Sequence, residues 1–152
     1  MALGLQDFAG CWTLRREIAG ADRAPMGCFE GRAQFVLEGA TLIYRETGRL
    51  TLDAQSMEAR QTHTWRQDGA RIFVTFADGR PFHHFDTSVS TPRARHLCAA
   101  DTYVVSYDFG QWPEWEAEWA VTGPSKDYRL RSSYRRVSDD EDQAGSADRI
   151  ID

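Results

Sequence analysis

The twelve residues of the segment Asp7–Ile18, DFAGCWTLRREI, contain a strand signal directly after a glycine. Alternate residues from position 12 to 18 share one face of the predicted strand, and Arg16 falls on that otherwise apolar face. Gly10 gives the backbone freedom where the chain enters the strand, and Trp12 is large enough to plug the end of a small barrel. The preceding residues 3–8 are expected to form a short helical turn. The segment therefore predicts the first strand of a barrel that Trp12 closes at one end.

Nine further segments show the two-residue alternation of half-buried strands, and turn signals such as Asp68-Gly69 and Asp78-Gly79 separate them. They are predicted at 26–38, 42–52, 57–66, 71–76, 82–87, 95–99, 103–109, 114–121 and 126–137. No helix longer than a turn or two is predicted. Sequential hairpins without crossover helices favour an all-β fold, a closed antiparallel up-and-down barrel of about 8–10 strands.

The net charge of -5 comes entirely from the end of the chain. Residues 138–152 hold six acidic side chains and one arginine, so the rest of the chain has equal numbers of acidic and basic side chains. Without a basic patch, no nucleic-acid partner is expected. The low apolar content of the acidic tail predicts disorder. We therefore expect a barrel domain at 1–137 and a disordered tail at 138–152.

Cysteine usage and the N-terminus bear on the compartment. Cys11, Cys28 and Cys98 are odd in number and lack metal-motif spacing, which favours a reducing compartment over a disulfide scaffold. The N-terminus has no basic region followed by an apolar run, and no apolar run approaches the ~20 residues that span a membrane. A soluble cytoplasmic protein with no membrane partner is expected.

Six short motifs in residues 5–136 together resemble an uncharacterised lipocalin-like, calycin-type β-barrel family of bacteria, plants and fungi, a domain of unknown function. The motifs are Gly10-x-Trp12, Phe29-Glu-Gly-x-Ala33-x-Phe35, Tyr44-x-Glu46-x-Gly48, Phe76-x-Asp-Gly-Arg-Pro-Phe-His83, His96-x-Cys98-x-x-Asp101-x-Tyr103 and Trp119-x-Val-x-Gly-Pro-x-Lys-Asp-Tyr128. The resemblance implies a lipocalin- or fatty-acid-binding-protein-like barrel and no established activity. In such barrels an arginine often packs on the opening tryptophan. The candidates for that role here are Arg129, Arg131, Arg135 and Arg136.

Several polar side chains fall on strand faces that are predicted to point inward. They are Arg16, Glu46, Gln61, His63, His96 and Cys98. In the strand after Pro81, either His83 or His84 must also point inward because neighbouring residues alternate. A buried polar group without a partner costs about 1–3 kcal/mol, so several together imply mutual hydrogen bonds, water or a ligand.

The predicted binding site is an interior cavity for a small, partly apolar molecule. Its aromatic wall is predicted to consist of Phe35, Tyr44, Trp65, Tyr107 and Trp119. Its polar anchors are predicted to be Arg16, Glu46, His83 and His96, with His63 and Cys98 as further interior candidates. The structural alternative is a buried hydrogen-bond network that only sets strand register.

Other functions remain open at this point. A small enzyme (an isomerase, hydrolase or lyase) could pair Glu46 with a histidine in the same cavity. An interaction module would have a cavity filled by side chains and would bind partners through its surface or tail. No cofactor is predicted, and a metal or haem bound through His83, His84 or His96 is a weaker alternative. A homo-oligomer is possible. A filled cavity would favour the module, and a carboxylate–histidine contact would favour the enzyme.

Overall fold

Ten antiparallel strands follow one another as hairpins in the computed structural model, which describes residues 2–137. The elements are α1 Leu5–Phe8, β1 Gly10–Gly20, β2 Pro25–Glu38, β3 Thr41–Leu52, β4 Gln55–Asp68, β5 Arg71–Phe76, β6 Pro81–Asp86, β7 Arg93–Cys98, β8 Asp101–Asp108, β9 Trp115–Thr122 and β10 Asp127–Arg136. The predicted all-β fold, its strands and the short helical turn are confirmed. The predicted tail at 138–152 lies outside the described residues. No helix within 2–137 has the length and apolar character needed to cross a bilayer.

The first and last strands of the chain pair with each other in the middle of the sheet. Its order is β6-β5-β4-β3-β2-β1-β10-β9-β8-β7, and β1 pairs with β10 from Trp12 opposite Arg136 to Gly20 opposite Tyr128. The edge strands β6 and β7 face each other across a seam, and they are not paired with each other by backbone hydrogen bonds. There the rings of Phe82 and His96 lie 5.1 Å apart. Short edge strands whose side chains pack together leave little free edge for unwanted pairing.

Phe8 and Trp12 plug one end of the barrel, and both are fully buried. The indole Nε1 of Trp12 donates a hydrogen bond to the Phe8 carbonyl oxygen at 2.9 Å. This bond ties the last residue of α1 to β1 at that end of the barrel. The Phe8 ring centroid lies 5.0–5.9 Å from five other rings: Phe35, Trp65, Phe109, Trp112 and Trp115. Trp12 takes its predicted place in the plug, but Phe8 is the centre of the aromatic cluster.

Arg136 is the arginine that packs on the opening tryptophan. Its guanidinium carbon lies 4.1 Å from the Trp12 ring centroid, and its Nη1 and Nη2 donate to the carbonyl oxygens of Ala9 and Asp7, both at 2.7 Å. Gly10 has a φ of +124°, and a Cβ there would lie 2.8 Å from Arg136 Nη1. A glycine at position 10 is therefore needed both for the backbone conformation and for the approach of the guanidinium.

Truncating Phe8 tests the aromatic plug. Phe8→Ala should lower the free energy of unfolding by about 3–5 kcal/mol, because neighbours only partly refill the cavity left by a buried aromatic ring. The matched control is Phe73→Ala, whose ring is 38% exposed. It should cost less than about 1 kcal/mol. Urea denaturation measures both, and equal losses in the two variants would contradict the role assigned to Phe8.

Candidate functional site: the interior cavity

A cavity of about 270 Å³ occupies the barrel interior beyond the plug. Its deep end is formed by buried Trp65, Tyr107 and Trp115, and its outer end by half-buried side chains that include Tyr103 and Tyr128. The lining comprises Arg16, Tyr44, Glu46, Gln61, His63, Trp65, Val74, Phe82, His83, Tyr103, Tyr107, Trp115, Ala117, Trp119, Val121, Tyr128, Leu130 and Tyr134. The wall is mostly aromatic, with a few polar groups set into it, as is typical of small-molecule sites.

Arg16 and Glu46 form a bidentate ion pair in the cavity wall. The Arg16 Nη1 and Nη2 atoms donate to the Glu46 Oε1 and Oε2 atoms at 2.8 and 2.9 Å. Arg16 Nε donates to the hydroxyl oxygen of Ser132 at 2.7 Å. Only 16% of the Arg16 side chain and 4% of the Glu46 side chain are exposed. All three nitrogens of the guanidinium thus have partners within the protein, which such a buried pair requires.

Both members of this pair are held in their charged forms. Burial by itself would raise the pKa of Glu46, but hydrogen bonds and attraction from Arg16 outweigh burial and lower it. Burial opposes the charge of Arg16 as well, and Glu46 more than compensates, so the pKa of Arg16 is raised. Folding lowers the pKa of Glu46, so its contribution to stability is present above the ordinary value of 4.5. That contribution is lost as the pH falls through the folded-state pKa.

A close approach of two strands makes room beside Arg16. At Gly48, a Cβ would lie 2.3 Å from the Glu30 carbonyl oxygen and 2.7 Å from the Cζ atom of Phe29. The absence of a side chain at position 48 therefore lets the Phe29 ring lie over β3. The Arg16 guanidinium carbon sits 5.4 Å from the centroid of that ring. Phe29 thus adds a cation–π contact to the guanidinium.

Two tyrosines extend the polar network toward the plug. The Tyr44 hydroxyl donates a short hydrogen bond to Glu46 Oε2, and the Tyr134 hydroxyl oxygen lies 2.9 Å from the Tyr44 hydroxyl oxygen. Because Tyr44 has only one hydroxyl proton, Tyr134 is the donor to Tyr44. The Tyr134 ring stacks on Trp115 with centroids 3.7 Å apart and planes at 4°. Burial raises the pKa of Tyr134 to about 12 and also raises the pKa of Tyr44, so both hydroxyls remain protonated.

Two neutral histidines also line the cavity. His83 Nε2 is 2.8 Å from the Tyr107 hydroxyl oxygen, and burial lowers the pKa of His83 to about 3. Burial also lowers the pKa of His63. In each histidine, Nδ1 is buried and has no hydrogen-bond partner within the described chain. The two imidazoles are therefore uncharged near neutral pH and keep unused hydrogen-bonding capacity.

Most of the predicted site residues meet in this cavity, and three do not. Arg16, Tyr44, Glu46, His63, Trp65, His83, Tyr107 and Trp119 line it. Phe35 is buried but packs between Phe8 and Trp65 in the plug. His96 is half-buried at the seam, where its ring lies 5.7 Å from Phe76 and 5.1 Å from Phe82.

The interior placement of Cys98 was wrong. Its side chain is exposed because Cys98 pairs with Asp101 at the β7–β8 turn, beyond the point where the opposite wall covers the inner face. Of the two adjacent histidines, His83 points inward. His84 is exposed on the outer face, where its ring stacks 5.1 Å from Phe73.

Sequence reasoning missed the contribution of β10. In that strand Tyr128, Leu130, Ser132 and Tyr134 alternate with arginines and Ser133, and all four side chains face inward around Arg16 and the cavity. This alternation is itself a strand signal, but the many arginines of β10 drew attention away from the residues between them. Trp115 and Phe82 were likewise assigned to strands but not to the site.

The described residues 2–137 contain no group of three or more His, Cys, Asp and Glu side chains that could hold a metal ion. His83 and His84 lie on opposite faces of β6, and His96 lies across the seam on β7. The three histidines therefore do not converge on one point.

A larger groove of about 650 Å³ lies mostly on the outside of the barrel. Its rim carries exposed charged side chains of both signs, among them Arg15, Glu30, Glu114 and Arg135. Exposed charges of this kind are well solvated. The interior cavity, half of whose lining residues are aromatic and into which buried polar groups are set, is the better candidate site.

Removing one charge from the pair tests its place in the wall. Glu46→Gln keeps the shape of the side chain but leaves Arg16 without its counter-charge, so it should lower the free energy of unfolding by about 3–5 kcal/mol. The matched control is Glu116→Gln, which removes a carboxylate from an Arg131–Glu116 pair at 3.1 Å whose side chains are 58% and 40% exposed. The control should cost about 0–1 kcal/mol. Similar urea midpoints for the two variants would refute the buried pair.

Solved structures share the fold at very low sequence identity. A protein of unknown function from the DUF3598 family of Nostoc punctiforme PCC 73102 is 11% identical with a TM-score of 0.58, over 90% of this chain and 50% of that one. The S-type phycobiliprotein lyase CPES from Guillardia theta is 7% identical with a TM-score of 0.61, over 88% of this chain and 90% of that one. The chain thus spans half the length of the first protein. At these identities the similarity extends to the barrel fold alone.

No curated protein matches the sequence. One family model does, over residues 8–136, and its description is a family of unknown function, DUF6314. The match runs from Phe8 in the plug to Arg136 on Trp12, and so covers the barrel and every residue that lines the cavity. The chain belongs to the DUF6314 family.

Proposed function

We propose that this protein is a lipocalin-like barrel that binds a small, partly apolar molecule in its interior cavity. The observation that carries the proposal is a cavity of about 270 Å³ that side chains have left unfilled in the middle of a barrel. A core that serves stability alone packs to near crystal density with few voids larger than a water molecule. An unfilled aromatic interior is therefore better explained by a ligand.

The polar groups in the wall support the same function. The Arg16–Glu46 pair, the two tyrosines and the His83–Tyr107 contact approach the cavity from several strands, rather than forming one isolated bridge. Buried Nδ1 atoms without partners on His63 and His83 carry a cost that a stability network would avoid. A bound molecule or a water that hydrogen-bonds to these nitrogens would remove that cost.

Neither alternative function has a comparable observation in its favour. An acid–base enzyme would use a contact between Glu46 and a histidine, but within residues 2–137 the hydrogen bonds of Glu46 go to Arg16 and Tyr44. That carboxylate is held ionised by its partners and is poorly suited to accept a proton. An interaction module would have a filled barrel, whereas this interior is open.

Filling the cavity tests the proposal. The neutral fluorescent probe N-phenyl-1-naphthylamine should brighten and shift to the blue when it is added to the protein, with one site per chain. Ala117→Phe places a ring in the cavity and should abolish this response, at a stability cost of about 1–3 kcal/mol that leaves the fold intact.

The matched control is Ala120→Phe, which adds the same ring to the same strand outside the cavity lining. It should leave probe binding unchanged. Circular dichroism melting checks that both variants are folded. Absence of probe binding by the unmodified protein, or equal binding by the folded Ala117→Phe variant, would refute interior binding.

A further inference from the structure

The cavity wall carries no unbalanced charge. Among the lining residues within 2–137, only Arg16 and Glu46 are charged, and each neutralises the other through two hydrogen bonds. His63 and His83 are neutral near pH 7. At the outer end, Lys126 donates to the Tyr103 hydroxyl at 3.0 Å, and its charge is balanced by Asp101 at 2.9 Å. A charged ligand would find no free counter-ion in this cavity and would lose its hydration on entry.

Arg16 in particular is not available to a carboxylate ligand. Both terminal nitrogens already donate to Glu46, and Nε donates to Ser132. An incoming carboxylate could form a bidentate contact with Arg16 only by displacing Glu46, whose own charge would then be buried without a partner. Such a rearrangement is strongly unfavourable. Arg16, the one arginine that lines the cavity within residues 2–137, therefore belongs to the wall and offers no free charge to a fatty acid or another anion.

The aromatic lining favours a flat ligand. Nine of the eighteen lining residues are phenylalanine, tyrosine or tryptophan. Phe82 and Trp119 stack with centroids 5.0 Å apart and planes at 9°, and Tyr134 and Trp115 stack at 3.7 Å and 4°. Each stacked pair presents flat rings in parallel. Ring faces and edges of this kind make their best contacts with other planar π-systems.

One contact in the wall can bond either a donor or an acceptor on the ligand. The proton between His83 Nε2 and the Tyr107 hydroxyl can come from either atom. If Tyr107 donates, His83 Nδ1 carries a proton. If His83 donates, its Nδ1 has a free lone pair and the Tyr107 proton is free. The pair therefore keeps one unused donor in both arrangements, and no residue within 2–137 satisfies His83 Nδ1.

From these observations we infer that the ligand is an uncharged, planar aromatic or conjugated molecule with a hydroxyl or carbonyl group that hydrogen-bonds to the His83–Tyr107 pair. The inference rests on the proposed function and adds the chemical class of the ligand. The cavity selects against charged analogues of the same shape because the wall balances its own charges.

Three probes of one shape test the charge selection at pH 7 by isothermal titration calorimetry. They are 2-naphthol, the anion 2-naphthoate and the cation 2-naphthylmethylammonium. We expect 2-naphthol to bind at least about tenfold more tightly than either ion. Equal or tighter binding of an ion would overturn the inference while leaving interior binding intact. A protein that binds N-phenyl-1-naphthylamine but not 2-naphthol would also overturn it. If N-phenyl-1-naphthylamine does not bind, the proposed function itself fails.

Two adjacent histidines provide a matched test of the hydrogen bond. His83→Phe removes the contact with Tyr107 and should weaken 2-naphthol about tenfold, while naphthalene, which has no hydroxyl, should bind as before. His84→Phe makes the same change on the outer face and should affect neither compound. Equal affinity of 2-naphthol for the His83→Phe and His84→Phe variants would show that the His83–Tyr107 pair does not hold the ligand.

The charge balance can also be changed deliberately. Glu46→Gln leaves one positive charge in the wall, and 2-naphthoate should then bind more tightly than 2-naphthol. The double variant Arg16→Gln/Glu46→Gln restores neutrality and should again prefer 2-naphthol, and it keeps the test available if the single variant does not fold. A double variant that prefers 2-naphthoate over 2-naphthol would overturn the inference.

Discussion

The ion pair between Arg16 and Glu46 is the constraint on which the barrel interior depends. An arginine on the inner face of the first strand is stable there only if its guanidinium nitrogens find acceptors within the protein. Strands β3 and β10 supply one acceptor for each nitrogen through Glu46 and Ser132. The register of β1 with its neighbours is therefore tied to the position of one guanidinium. A shift of β1 by one residue against β2 or against β10 would place a charge in the core without a partner.

The same pair determines what the cavity can accept. Because Glu46 occupies the fork of Arg16 and orients Tyr44, the two opposite charges in the wall balance each other and leave no counter-charge for an anion. Among the described residues, unused hydrogen-bonding capacity remains on the buried ring nitrogens of His63, His83 and Trp115 and at the contact between His83 and Tyr107. The plug at Phe8 and Trp12 closes one end, so that a ligand would meet aromatic walls, a neutral interior and one adaptable polar pair.

Much of the fold could be predicted from the sequence, because alternation and turn residues are local signals. The ten strands, the helical turn and the inward faces of Arg16, Glu46 and His63 followed from them. The predicted interior position of Cys98 was wrong, because alternation specifies which face of a strand a residue occupies but not how far along the strand that face is covered by the rest of the barrel. The partner of Arg16, the choice of Arg136 for Trp12 and the central role of Phe8 depend on contacts between distant strands, which no local pattern encodes. Tyr134 was missed because the arginines around it dominated the composition of its strand.

The ionisation of Glu46 in the folded protein is the most direct measure of this account. A ¹³C NMR titration of side-chain-labelled glutamate carboxyl groups, with the Glu46 signal assigned from its absence in Glu46→Gln, reports that ionisation state as a function of pH. The account predicts that Glu46 stays ionised well below the ordinary glutamate value of 4.5, because Arg16 and Tyr44 stabilise its carboxylate more than burial opposes it. Protonation at or above pH 4.5 would contradict the buried ion pair and, with it, the neutral cavity that the pair creates.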